Sequence, residues 1–181
     1  MVERQPSEPR TLEVIDEVVE FDLDELFRQF APYVATIGYR LLGRDCEVDD
    51  LVQDVFLAAH RGLRSLRNRE AVKGWLATVT VRLARRRLRT RRFRATFRLD
   101  GGDDYLEVAD TAASPETRAM VARVYRILDR VPVDRRLAWS LRYIHGERLA
   151  RVAELCECSL ATAKRRIKAA QLFIDAEVSD D

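Results

Sequence analysis

Residues 47–94 constrain the fold more than any other stretch. They read EVDDLVQDVFLAAHRGL, a short break, then REAVKGWLATVTVRLARRRLRTRRFR. In the first half Val48, Leu51, Val52, Val55, Phe56 and Ala59 recur at spacings of three and four, one apolar stripe of a helix. Asp49, Asp50, Gln53 and Asp54 lie largely off that stripe. Carboxylates in a first turn suit the helix dipole, which accounts for Asp49 and Asp50 but not for Gln53 and Asp54 further in. The second half starts near Arg69 with a core face of Val72, Trp75, Leu76, Val79 and Leu83. It ends as an arginine rod: Thr78, Arg82, Arg85, Arg89 and Arg92 share one stripe, and Arg86, Arg87, Arg91 and Arg94 widen it. The acidic partners that such a rod would need for salt bridges are absent, so an anionic partner such as a phosphate backbone is expected.

The rest of the chain is also helical in pattern. Proline and glycine number only 5 and 7 in 181 residues, and no strand-like alternation persists. Phe21–Gly43 reads as a helix interrupted at Pro32, which should kink or restart it, with Gly43 as its stop. Ser114 is a good N-cap with Pro115 at the first helical position. Pro132 starts a helix over 133–144 with Leu137, Ala138, Leu141 and Tyr143 as its apolar residues. Arg148–Leu155 is a short helix, Cys156-Glu157-Cys158 a tight connection, and Ser159 caps a last helix whose expected buried stripe is Leu160, Ala163, Ile167, Ala170 and Ile174. Its other side carries Thr162, Arg165 and Arg166, flanked by Lys164 and Lys168. A short helix, a tight turn and a basic helix describe a helix-turn-helix. Ser159, Thr162, Lys164 and Arg165, near the start of the second helix, are the candidates for base edges. A plain helical hairpin would show the same pattern.

The net charge of +2 hides segregation. Residues 27–98 and 118–172 carry +11 and +8, while 1–26, 99–117 and 173–181 carry −7, −6 and −4. Two basic blocks between acidic spacers suggest two surfaces for a polyanion. The expected organisation is an acidic extension over 1–20, a helical domain over 21–97, an acidic linker over 98–116, a helix-turn-helix domain over 117–175 and an acidic tail over 176–181. The extension reads either as an acidic flap over a basic surface or as a solvated tail. No signal-peptide pattern opens the chain and no run approaches the ~18 apolar residues of a membrane span, so a cytoplasmic chain without membrane insertion is expected. Cys46, Cys156 and Cys158 form neither a disulfide framework nor a four-ligand zinc pattern. His60 and His145 have no nucleophile or carboxylate cluster at useful spacing, and no glycine-rich phosphate loop is present. Neither an enzyme nor a cofactor or metal is expected.

The order of these parts resembles that of bacterial RNA polymerase sigma factors of the extracytoplasmic-function (ECF) group. DDLVQDVFLAAHRGL followed by GWLATVTVRLARRRLRTRR is similar to their region 2, and residues 128–170 are similar to region 4. The likeness covers about residues 22–96 and 118–172. It implies an all-α fold of two small helical domains, a region 2 bundle and a region 4 helix-turn-helix. The function implied is to direct core RNA polymerase to promoter DNA and help open it in transcription initiation. Asp50, Leu51, Gln53, Asp54 and Phe56 match the family's polymerase-docking segment. The stretch with Lys73, Trp75, Arg82, Arg85, Arg86 and Arg89 matches the helix that engages the minus-ten element, and residues 63–68 match the loop that captures an unstacked base. Ser159, Thr162, Lys164, Arg165, Arg166 and Lys168 fall on the helix that reads the minus-thirty-five element. The linker would thread a positively charged polymerase channel, and an anti-sigma factor is the usual holder of small members. The chain departs from the pattern in lacking glycine at Cys156-Glu157-Cys158 and in carrying Arg165 where serine is common. The rivals are a free-standing helix-turn-helix regulator that binds duplex without polymerase, and a relative that binds polymerase but opens no promoter.

Overall fold

The structure, a computed structural model, describes residues 22–62, 68, 70–97 and 114–179. The acidic extension, most of the base-capture loop, residues 98–113 of the linker and the last two residues lie outside that range. All the regular structure described is helical: α1 (Leu23–Leu42), a 3-10 turn (Asp45–Glu47), α2 (Val48–Gly62), α3 (Ala71–Thr96), α4 (Pro115–Arg130), α5 (Val133–Trp139) running into a π-helical turn (Ser140–Ile144), α6 (Leu149–Leu155) and α7 (Leu160–Ser179).

Local chemistry sets most of the boundaries. The Asp22 carboxylate accepts the Asp24 N–H at 2.9 Å and starts α1. α1 runs through Pro32 without a break, so the proline, which removes one backbone donor, does not restart the helix. α1 stops at Gly43, whose φ of 72° is left-handed and whose N–H reaches the Tyr39 carbonyl. The Asn68 side chain accepts the Glu70 N–H ahead of α3. Ser114 caps α4 through the Thr117 N–H at 3.3 Å, so helix begins at Pro115 and the last two residues assigned to the linker belong to it. The turn between α6 and α7 places Glu157 at φ 52°, the conformation a glycine would adopt without steric cost.

The two basic blocks pack into one body. Residues of α1, α2 and α3, among them Ile37, Leu41, Leu51, Val55, Leu76 and Leu88, share a continuous buried cluster with Leu137, Leu141, Val152, Leu155 and Ile167 from α5 to α7. Burying one such side chain is worth roughly 1.5–3 kcal/mol, so this shared core is a large part of the fold's driving force. A smaller cluster joins α4 to α7 through Tyr125, Leu128, Val131, Ala170 and Ile174.

α3 is the central element, in contact with α1, α2, α5 and α6. It therefore buries a second stripe, Ala77, Val81, Ala84, Leu88 and Arg91, besides Val72, Leu76 and Val79. Trp75 stands against Gly62 at the end of α2, where even a methyl group would meet the indole ring. Two apolar expectations differ from the structure. Leu160 and Tyr143 are 45% and 57% exposed: Leu160 falls in the first turn of α7, ahead of the packed stripe, and Tyr143 lies on the π-helical turn, whose wider winding shifts the register that a 3.6-residue period presumes. None of the described helices is long and apolar enough to cross a membrane.

Candidate nucleic-acid interface

The basic face of α7 is built from its cap outward. The Ser159 hydroxyl accepts the Thr162 N–H at 3.2 Å and donates to the Thr162 hydroxyl at 2.9 Å. Arg165 donates to that same hydroxyl at 3.3 Å. The cap thus steers the first cationic side chain of the helix toward its N-terminal end. Lys164, Arg165 and Lys168 are exposed and Arg166 is half-buried, while Ala163, Ile167, Ala170 and Ile174 hold the opposite face in the core. A 20-residue helix is about 30 Å long, and a B-form major groove about 12 Å wide admits one. The six residues singled out on this helix by sequence come together on its N-terminal half.

The arginines of α3 differ in their surroundings. Arg82, Arg86, Arg89, Arg92 and Arg94 face solvent, Arg89 while also paired. Arg85, Arg87, Arg89 and Arg91 each meet a carboxylate: Arg85 pairs with Asp134 at 3.3 Å and Glu157 at 3.6 Å, Arg89 with Asp134 at 3.2 Å, Arg91 with Glu47 at 3.2 Å and Asp129 at 3.0 Å, and Arg87 with Asp54. This corrects the expectation that the rod lacks acidic partners. The partners are distant in sequence, on α2, α4, α5, the 3-10 turn and the α6–α7 turn, where helix periodicity gives no sign of them. Arg85 also donates to the Cys156 carbonyl at 2.9 Å and is 14% exposed, so it is turned into the α5–α6 side of the molecule. Lys73 is exposed at the start of α3 and lies 4.8 Å over the Tyr33 ring. Trp75 is half-buried.

On α2 the five residues expected to dock split by side. Asp50, Gln53 and Asp54 are exposed, and Asp50 and Asp54 line an open groove whose other wall is Arg86, Arg87 and Arg94. Leu51 and Phe56 are 0% and 5% exposed and belong to the core, which removes them from the surface a partner could touch. Their apolar character fits the buried stripe, and they fix the angle at which the three polar residues stand.

Burial governs the titrating groups. The Cys156 thiol is pushed up to about 11, by burial first, and is a poor nucleophile at neutral pH; Cys46 is exposed. Arg136 is lowered to about 10, chiefly by burial and then by the nearby Arg91 charge, with Asp129 opposing. Among the described residues no group of three or more His, Cys, Asp or Glu side chains is arranged to hold a metal ion.

Comparison with known proteins agrees with this geometry. Sigma-70 region 2 matches residues 26–94, which span α1 to α3. The ECF RNA polymerase sigma factor SigM of Mycobacterium tuberculosis is 34% identical over 147 residues, 81% of this chain and 71% of that protein. The ECF RNA polymerase sigma-E factor of Escherichia coli K12 is 26% identical over 141 residues, 73% of this chain and 74% of that one. Among solved structures, the sigma factor RpoE of Bartonella quintana, crystallised with the anti-sigma factor NepR, aligns with a TM-score of 0.63 at 19% identity over 88% of this chain and 98% of that one. CnrH in complex with the cytosolic domain of CnrY aligns at 0.59 with 21% identity, over 88% of each chain. These two carry the fold, and the sequence relatives carry the family: the chain belongs to the ECF RNA polymerase sigma factors.

Proposed function

We propose that this chain directs core RNA polymerase to promoters bearing two separate recognition elements and helps open the downstream one, with no bond-making chemistry of its own. The observation that carries this reading is the pairing of one exposed acidic–amide face, Asp50, Gln53 and Asp54 on α2, with two distinct basic helices, α3 and α7. A free-standing helix-turn-helix regulator would need α7 alone and has no use for the α2 face.

The roles divide by chemistry. Asp50, Gln53 and Asp54 dock on polymerase. The outward cations of α3, Lys73, Arg82, Arg86 and Arg89, hold the backbone of the minus-ten element as its strands part, by charge rather than by base identity. Ser159, Thr162, Lys164, Arg165, Arg166 and Lys168 sit on the duplex at minus thirty-five, with Arg165 nearest to reading base edges. Base capture from the α2–α3 loop offsets an unstacking cost of a few kcal/mol. Likeness to RpoE, solved with the anti-sigma factor NepR, supports a protein antagonist here too.

Run-off transcription with purified core enzyme on a promoter library tests the reading. The chain should confer defined start sites that core alone does not select. Tight, sequence-specific duplex binding without core, or core binding without any start-site choice, would sink it.

A further inference from the structure

The last turns of α3 stand clear of the packed body. Every residue from Arg92 to Phe97 is exposed, and two of them are phenylalanines, Phe93 at 64% and Phe97 at 59% exposure. Their rings touch, with centroids 4.7 Å apart and planes tilted by 53°. Neither ring belongs to either buried cluster. Phe27, also exposed, leans on Phe56 of the core; Phe93 and Phe97 lean on each other.

Helix geometry puts this pair at the end of a cationic face. At about 100° per residue, Arg82, Arg86, Arg89, Phe93 and Phe97 fall within an arc of roughly 80°, and all five are exposed. Arg89 stays open to solvent while it is paired with Asp134. No acidic residue lies between Arg82 and Phe97 in the sequence. The stripe is about 22 Å long at 1.5 Å per residue, room for about six nucleotides stacked at 3.4 Å.

An i, i+4 aromatic pair adds little to the stability of a helix, and two rings left in water forgo the gain that burial would bring. What covers them has to be apolar where it meets the rings and anionic where it meets the arginines. A single strand of DNA is both, since each unpaired base has an open π-face and each link carries a phosphate. A duplex keeps its base faces inside the stack. Rings in contact leave no slot between them, because a sandwiched base needs about 3.4 Å on each side. The base therefore stacks on an outward ring face.

We infer that Phe93 and Phe97 form a stacking platform for a base of single-stranded DNA whose phosphates are held by Arg82, Arg86 and Arg89. This deepens the role proposed above for α3 and rests on it for the identity of the strand as promoter DNA. Cations alone hold a backbone whether its bases are paired or not. The rings favour the parted strand, because only there is a base face free to stack. Stacking accepts any base, so the platform contributes to opening and not to promoter choice.

The test titrates the full chain at low salt with a labelled oligothymidylate of about 20 nucleotides and with an abasic strand of equal length, which keeps the phosphates and lacks the bases. Wild type should bind the thymidylate at least about fivefold more tightly, the gain expected from one stacked base. Phe93→Leu/Phe97→Leu keeps apolar bulk and helix and should bring that ratio close to one, with circular dichroism unchanged. Phe93→Tyr/Phe97→Tyr should preserve the ratio. Arg82→Gln/Arg86→Gln should weaken both strands alike. A wild-type ratio near one, no binding to either strand, or a ratio that survives in the leucine variant overturns the platform. If that surviving ratio comes with lost affinity for core polymerase, the pair is a protein contact instead. Run-off transcription with core separates this result from the functional reading. Start-site choice without a base preference leaves the proposed function standing and removes the platform; a base preference without start-site choice does the reverse.

Discussion

The ring of Tyr125 occupies the space in which a side chain on Gly43 would begin. Gly43 is doubly constrained, by its left-handed φ of 72° and by an aromatic ring brought against it from α4. Gly43→Ala should therefore cost about 2 kcal/mol or more, combining the ~1 kcal/mol of left-handed strain with displacement of Tyr125. For a chain of this length that lowers the thermal midpoint by roughly 4–8 °C. Gly146→Ala is the control. It has φ 84° but open space around it, so only the strain should show, at about half the shift.

Asp54→Arg separates docking from folding. The Asp54 side chain is about half exposed and pairs with Arg87 across the α2–α3 groove. Surface pairs of this kind contribute ~0–1 kcal/mol, so reversal should leave circular dichroism unchanged and the thermal midpoint within a few degrees. Charge reversal at a docking contact costs several kcal/mol of association. Core polymerase binding should weaken by about 30-fold or more in a pull-down or fluorescence titration. Unchanged binding would move the docking face elsewhere.

The helices were legible because each carries its own period. The stripe of α2, the cap at Ser114, the stop at Gly43 and the basic side of α7 are local patterns, settled by residues within a few positions of one another. What was not legible depends on packing between distant helices. Arg91 reads as one more solvent-facing cation until Asp129, 38 positions later, is brought beside it. Nothing in the helix pattern marks Arg136, which is 2% exposed. The second buried stripe of α3, Ala77 to Leu88, looks like a helix flank and becomes core only because α5 and α6 cover it. Leu51 and Phe56 illustrate a different loss. A motif match marks a segment but does not separate its exposed side chains from those that are buried beneath them.

His145 makes the packing of the π-helical turn against α1 sensitive to acid. Its Nδ1 lies 3.0 Å from a guanidinium nitrogen of Arg40, a group that can only donate, so Nδ1 accepts and the ring is neutral with its proton on Nε2, 3.6 Å from Glu147. Burial lowers its pKa below the usual value, the Arg40 charge adds to this, and Glu147 opposes. Between the lowered folded value and the ordinary one of about 6.5 the unfolded chain binds the proton first. This contribution to stability is therefore complete above about pH 6.5 and is lost as pH falls below it. Urea midpoints should decline from pH 7.5 to 5.5, and His145→Gln should flatten that decline. An equal slope in the variant would place the acid sensitivity on other groups.

Arg165 and Lys168 share a helix face but should fail in different ways. Arg165 stands six residues past the Ser159 cap and, among the described residues, is hydrogen-bonded to the Thr162 hydroxyl of its own helix, a weak tether that a guanine edge offering two acceptors can replace. Losing such a contact removes about 1–3 kcal/mol of discrimination, or roughly 5- to 150-fold between a preferred and a mismatched base. Lys168 is exposed one turn further along α7, and an ammonium there suits a phosphate, which carries no sequence information. In holoenzyme titrations, Arg165→Ala should narrow the affinity gap between matched and mutated minus-thirty-five elements while leaving core binding unchanged. Lys168→Ala should weaken all sequences alike and reduce the salt dependence by about one counterion. The reverse pattern would exchange the two roles, and promoter choice indifferent to both would place the reading surface off α7.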